Sequence, residues 1–202
     1  MGVPQEVKDG MLEGVSGRAL KVNPEWTNPT GKYRVGLKRA FELYPRWLQT
    51  RVQKERKEKW MVAHKAEQKK LQLALAMATG KEDIEDCKAR IAQLDNFEKL
   101  EDPGPLLDCV TYHDGKHWQA IIDTTEEGDL SAVEPMTDYR VALQFRRFSP
   151  MDNFNFCVNV YDEGQILSIC VDAGAHGSHV AGIVSANHPG DPSQNGGRYY
   201  HC

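Results

Sequence analysis

Two histidines three residues apart, His176 and His179, lie in the string Gly174-Ala175-His176-Gly177-Ser178-His179-Val180-Ala181-Gly182, the part of this chain most suited to chemistry. The apolar run Ile166 to Val171 ahead of it reads as a strand, and the small residues that follow read as a loop opening a helix. A histidine in the first turn of a helix points outward. The positive helix end disfavours an imidazolium, so the ring stays neutral and able to accept a proton. His176 is therefore a candidate general base. Gly177 beside it leaves space for a substrate backbone. His179, one turn later, is expected to face inward as a buried support, and Ala181 and Gly182 to let the helix pack closely on its neighbours.

Other readings of the same residues stand beside that one. The bare spacing fits a strand–loop–helix junction with two incidental histidines. A zinc pair is also conceivable, but the chain has no His-Glu-x-x-His, no convincing third ligand and no Cys-x-x-Cys, so no metal and no cofactor is expected. His113 and His117 flank the turn Asp114-Gly115 and would lie near one another there, as a metal pair or simply as polar turn residues.

The elements that must position these residues follow from the pattern of breakers. Residues 1–36 are rich in Gly, Pro and Asn and read as irregular but ordered, with one short strand within Val15 to Val22. From about Pro45 to Ala78 no Gly or Pro interrupts a run of good helix formers; Pro45 suits a first turn and Gly80 a stop. A second helix is expected from about Glu82 to Leu100, with Ile84, Cys87, Ile91, Leu94 and Phe97 on one face. Residues 51–70 hold eight Lys/Arg against three Glu, and residues 82–102 eight Asp/Glu against three Lys/Arg, so an antiparallel helical hairpin would bring opposite charges together. Beyond Pro105 two β-hairpins are expected, about 106–122 and 156–171, the first closed by Asp114-Gly115. A short helix is expected near Tyr139 to Phe145, and a frayed end from Asn187 to Cys202.

Bulk properties narrow the function. A chain of 202 residues with 40% hydrophobic and 27% charged residues has ordinary globular composition. Its net charge of −4 argues against a general nucleic-acid binder, so the basic run reads first as a solvated helix face. No stretch approaches the roughly 20 apolar residues that cross a bilayer, and residues 1–10 lack the apolar core of a secretory signal. Five scattered cysteines, Cys87, Cys109, Cys157, Cys170 and Cys202, read as free thiols in a reducing, cytoplasmic compartment.

The string His176 to Gly182 resembles the catalytic-histidine block of the subtilisin-type serine peptidases. Four further segments resemble the tripeptidyl peptidase II branch of that family: Trp26 to Tyr33, Arg51 to Lys59, Asp102 to Pro105, and Val158 to Asp162. The hallmark of that branch is a long insertion between the catalytic aspartate and the catalytic histidine. The resemblance implies an α+β fragment: a long helical hairpin and β-hairpins inserted into a subtilisin-like α/β domain, of which only the histidine strand and helix are present. Residues 1–165 would be the insertion region and 166–202 a partial catalytic domain. It further implies a cytosolic serine exopeptidase that removes tripeptides from the N-termini of oligopeptides and assembles into a large homo-oligomer, with His176 as general base and Gly177 at the substrate.

The chain departs from the family pattern in what it lacks. The family aspartate precedes the insertion, and the nucleophile follows far downstream in a Gly-Thr-Ser-Met-Ala-like helix start. None of Ser16, Ser131, Ser149, Ser168, Ser178, Ser185 or Ser193 has that context. Asp123, in Ile121-Ile122-Asp123-Thr124-Thr125, mimics the aspartate strand without its following glycine, and Asp172 lies just before the histidine loop. The expectation is a chain that is catalytically incomplete alone. The competing expectation is a non-catalytic interaction or assembly module derived from the same enzyme. In the former case the partners are peptide substrates, with no nucleic acid and no membrane.

Overall fold

The computed structural model describes residues 1–172, 174, 176–187 and 189–191. The elements are β1 (Pro4–Glu6), β2 (Met11–Glu13), β3 (Ala19–Lys21), β4 (Lys32–Arg39), a 3-10 turn (Ala40–Glu42), α1 (Arg46–Met77), α2 (Lys81–Phe97), β5 (Leu106–His113), β6 (Trp118–Ile122), β7 (Met136–Thr137), α3 (Tyr139–Ala142), β8 (Arg146–Arg147), β9 (Asn155–Tyr161), β10 (Ile166–Val171) and α4 (His176–Ser185). The mixture of helices and antiparallel sheets agrees with the α+β expectation. The expected frayed end from 192 onward, with Ser193 and Cys202, lies outside the described residues, as does Ala175.

Three sheets form: β1-β4-β5-β6-β7, β10-β9-β8 and the ribbon β2-β3, every named pair antiparallel. Strand β5 explains the layering, because both of its faces are buried. Leu107 and Cys109 join Ala120, Ile122, Met136, Phe156, Val158 and Val160 between the five-stranded and three-stranded sheets, with Leu48 of α1 beneath. Val110 and Tyr112 join Leu12, Leu20, Tyr33, Val35 and Ile121 on the opposite face, under the β2–β3 ribbon. Alternation of side chains along a strand makes this possible. Each fully buried Leu or Ile contributes about 2 kcal/mol of apolar burial.

The N-terminal region is more regular than its composition suggests. Three strands missed in sequence, β1, β2 and β4, lie within or overlap residues 1–36, and Val15 to Arg18 is the turn of the β2–β3 ribbon rather than strand. In β4 the side chains of Tyr33 and Val35 are buried, while Lys32, Leu37 and Arg39 are exposed.

Both expected hairpins form. The first, β5–β6, closes over four residues with His113 opposite Trp118. Only Gly115 takes a positive φ there; Asp114 instead accepts from the Lys116 and His117 amides, both at 2.7 Å. The second, β9–β10, turns through Asp162, Glu163 and Gly164, all at positive φ. A Cβ on Gly164 would lie 2.4 Å from the Trp118 ring, so close packing as well as φ demands glycine.

The helical hairpin projects from this body. Helix α1 spans 32 residues, about 48 Å at the usual rise, and buries only Leu48 and His64. Pro45 caps it rather than filling its first turn, and it ends at Ala78 in extended backbone. Gly80, expected to stop α1, has a negative φ and instead precedes α2. The expected apolar face of α2 is confirmed in part: Ile84, Cys87, Ile91 and Leu94 are half-buried against α1, and Phe97 is exposed. Across the two helices the neutral Gln68 amide donates to Asp95 at 2.9 Å, and the ion pair from the basic run, Arg56 with Asp102 at 2.7 Å, reaches the chain beyond α2 rather than α2 itself.

A chain of alternating charges anchors α1 to the sheets. The Asp108 carboxylate, fully buried on β5, accepts from the Ser16 hydroxyl and amide and from Arg18 at 3.1 Å. Arg18 continues to Glu126 at 3.1 Å, Glu126 to Arg56 at 2.6 Å, and Arg56 to Asp102. Burial opposes the charge of Arg56, but the two carboxylates outweigh it and raise its pKa. One residue of the basic run is thus a structural clamp.

Candidate functional site

Among the described residues β10 is the edge of its sheet, paired with β9 alone, and it precedes α4 in the chain. Just past the strand, the Asp172 carboxylate accepts from the Asn155 amide at 3.3 Å and the Asn155 side chain at 3.4 Å, which fixes the point of departure. Gly174 follows at φ +136, a conformation open to glycine. His176 is then the first residue of α4, as the sequence pattern predicts, and it is exposed.

A Cβ on Gly177 would meet nothing within 4 Å, so the space beside His176 is open. Two expectations about the rest of the helix are corrected. His179 is exposed, not buried. Gly182 packs on nothing within 4 Å, and Val180 and Ile183 are 44% and 62% exposed. The reason is common to all of them: among the described residues no element covers α4, so helical periodicity alone gives no residue a buried side.

The carboxylates and hydroxyls weighed in sequence as partners of His176 are engaged elsewhere. Asp123 is 2% exposed, and its oxygens accept from the amides of Thr125, Glu126 and Gly128 and from the Thr125 hydroxyl. It is the organiser of its own loop. Ser16 serves Asp108, Ser131 serves Asp129, Ser149 serves Asp152, and Ser185 donates to the Ala181 carbonyl within α4. His113 accepts from the Gly115 amide at 3.1 Å and stands edge-on to Trp118. Among the described residues no three His, Cys, Asp or Glu side chains group as a metal site, and no helix is long and apolar enough to cross a membrane.

A second feature escaped the sequence reading. The helical hairpin and the chain after α2 enclose a groove of about 1240 Å³, lined by Trp60, His64, Leu94, Phe97 and Leu100 with Lys57 at its edge. His64 is 5% exposed, stacks on Trp60 at 4.3 Å, and neither ring nitrogen has a hydrogen-bond partner. The nearest carboxylate, Glu98, lies 4.0 Å from Nε2. The clue available in sequence was position: Met61, His64, Gln68, Leu71 and Leu75 share the spacing of the seam, with a histidine among them.

No family model matches the chain. Among known proteins it is 38% identical over 206 residues to the tripeptidyl-peptidase 2 of Arabidopsis thaliana, covering 94% of this chain and 15% of that protein. It is 36% identical to the tripeptidyl-peptidase 2 of Caenorhabditis elegans, covering 96% and 15%, and 30% identical to that of Drosophila melanogaster, covering 90% and 14%. The crystal structure of tripeptidyl peptidase 2 (TPP II) aligns with 83% of this chain and 14% of that one, at a TM-score of 0.49 and 22% identity. The chain therefore spans about 15% of the length of the curated relatives it matches. Over that segment it belongs to the tripeptidyl-peptidase 2 family.

Proposed function

We propose that these residues are part of a serine peptidase of subtilisin type that removes tripeptides from the free N-termini of oligopeptides in the cytoplasm. In this reading residues 1–165 form the insertion region and 166–202 part of the subtilisin-like catalytic domain. His176 is the general base: its imidazole takes the proton of a serine hydroxyl as that oxygen attacks the scissile carbonyl, then returns it to the leaving amine. Gly177 leaves the substrate backbone room to lie beside the ring. The observation that carries the reading is the position of His176, exposed at the first residue of a helix that follows an edge strand, with open space at Gly177.

The 202 residues alone are catalytically incomplete in this reading. Asp123 and four of the described serines are hydrogen-bonded to groups other than His176, and a triad acts as a unit whose separated members retain little. The experiment is hydrolysis of a tripeptide reporter substrate by the purified chain. No turnover is expected; activity that disappears in His176→Ala would overturn the claim of incompleteness.

A second reading, a non-catalytic interaction or assembly module, is favoured by the groove around His64, where a desolvated ring offers two unused nitrogens. Gel filtration of the chain with full-length enzyme separates the two. Co-elution lost on Trp60→Ala supports the module, and a clean monomer in both variants opposes it.

A further inference from the structure

Cys157 of β9 and Cys170 of β10 are direct cross-strand partners, in register between the pairs Val158–Ile169 and Phe156–Val171. Directly opposed residues on antiparallel strands share a face. Phe156, Val158 and Val160 occupy the buried face of β9, so Cys157 and Cys170 project from the outer one, the first half-buried and the second exposed. Burial pushes the Cys157 thiol above its usual pKa, and Cys170 across the strand pair pushes the same way. The Ser168 hydroxyl lies 3.7 Å from the Cys170 sulfur on the same exposed face. Opposed Cα atoms in an antiparallel pair are about 4.5–5.5 Å apart, inside the range that a disulfide spans.

We propose that Cys157 and Cys170 are a reversible dithiol–disulfide pair that exchanges with small-molecule disulfides and, when oxidised, staples the strand leading to α4. The exposed Cys170 reacts first. Its thiolate attacks one sulfur of a small disulfide RSSR, forms a mixed disulfide and expels RS⁻. The Cys157 thiolate then attacks the Cys170 sulfur and expels the second RS⁻. The balance is two protein thiols plus RSSR giving one protein disulfide plus two RSH; the small disulfide is the oxidant and is itself reduced. Cys170 lies six positions before His176 on a strand that, among the described residues, is paired on one side only. A covalent bond here replaces a frayable pair at the end of the hairpin from which 172–175 depart. Cys109 takes no part, being 3% exposed and pushed up to about 12 by burial. The inference does not depend on the peptidase reading.

The test uses the 202-residue protein with Cys87→Ser and Cys202→Ser, equilibrated with excess oxidised over reduced glutathione, alkylated with maleimide and digested for mass spectrometry. The expected product is an intramolecular Cys157–Cys170 peptide pair, about 2 Da lighter than the reduced peptides, with two fewer maleimide adducts and full reversal by dithiothreitol. The added Cys157→Ser substitution should instead trap glutathione on Cys170. In the oxidised protein amide exchange across residues 157–170 should slow; an unchanged rate would refute the stapling. Two free thiols, glutathione on both cysteines, or linkage only between molecules would overturn the proposal.

Discussion

Arg18 donates at 3.1 Å to Asp108, a carboxylate with no exposed side-chain surface, and this contact starts the charge chain that ends on the helical hairpin. Asp108 also holds the Ser16 amide and hydroxyl, and Gly14 leaves its oxygens room, since a Cβ there would lie 3.0 Å from Oδ1. The β2–β3 ribbon is thereby locked on β5. Removing a buried charge's partner strands the remaining polar groups. Asp108→Ala should therefore destabilise the protein by about 3 kcal/mol. Arg56→Ala, at a side chain 35% exposed, should cost about 1 kcal/mol. Urea midpoints of the two variants measure the difference, and equal losses would contradict a buried origin for the chain of charges.

Gly164 lies against Trp118 at positive φ, so an added methyl meets both strain and a clash. Gly164→Ala should destabilise the protein by about 2 kcal/mol or more. The steric part belongs to the ring and the rest to the backbone. A double-mutant cycle with Trp118→Ala should recover the steric part only, which appears as non-additivity in the unfolding free energies. Strict additivity would mean the ring yields freely.

Sequence legibility followed locality. The helices of the hairpin were readable because breakers frame them, and β5–β6 because Asp114-Gly115 sits between two apolar runs. Strand β4 was missed although Tyr33, Val35 and Leu37 alternate, because Lys32, Arg34, Lys38 and Arg39 make the segment look solvated. Strands β1 and β2 have three residues each, too few to show a period. The charge chain could not be seen, since Arg18, Arg56, Asp102, Asp108 and Glu126 are far apart in sequence and only the fold brings them together. His176 was placed correctly at a helix start because loop and helix onset are local. His179 was not, because which side of a helix is buried depends on what packs against it.

Asp114 and Asp138 are among the carboxylates held below their ordinary pKa, and together these groups set the acid limit of stability. Burial would raise the Asp114 carboxyl, but the His117 and Lys116 amides and the Gln119 side chain outweigh it and hold it below the ordinary value. The Arg140 guanidinium, against the opposing effect of burial and with help from the Val160 amide, lowers Asp138 in the same way. A depressed folded-state pKa gives stability that is fully present above the unfolded value of about 3.9 and lost as pH falls through the folded one. Urea midpoints should therefore be flat near neutrality and fall below about pH 4. Asp114→Asn and Asp138→Asn should each lower the neutral plateau and make the acid decline shallower. An unaltered decline in both would assign acid sensitivity to other groups.

His64 is where the requirements of stability and of binding diverge. Its ring is desolvated at the seam of α1 and α2, stacked on Trp60, with both nitrogens lacking partners. A buried polar group without a hydrogen bond costs about 1–3 kcal/mol relative to one that is satisfied. His64→Leu keeps most of the apolar contact with Trp60 and removes the orphaned nitrogens, so it should stabilise the chain by about 1 kcal/mol. Thermal unfolding followed by helical circular dichroism reads this directly. If the groove serves an interaction, the same variant should bind the full-length enzyme more weakly while melting at a higher temperature. That opposed pair of changes is what a purely structural histidine would not produce: substitution there would leave binding untouched. A variant that melts lower would show instead that the ring nitrogens are satisfied in solution, and the argument for a site built on their vacancy would fall with it.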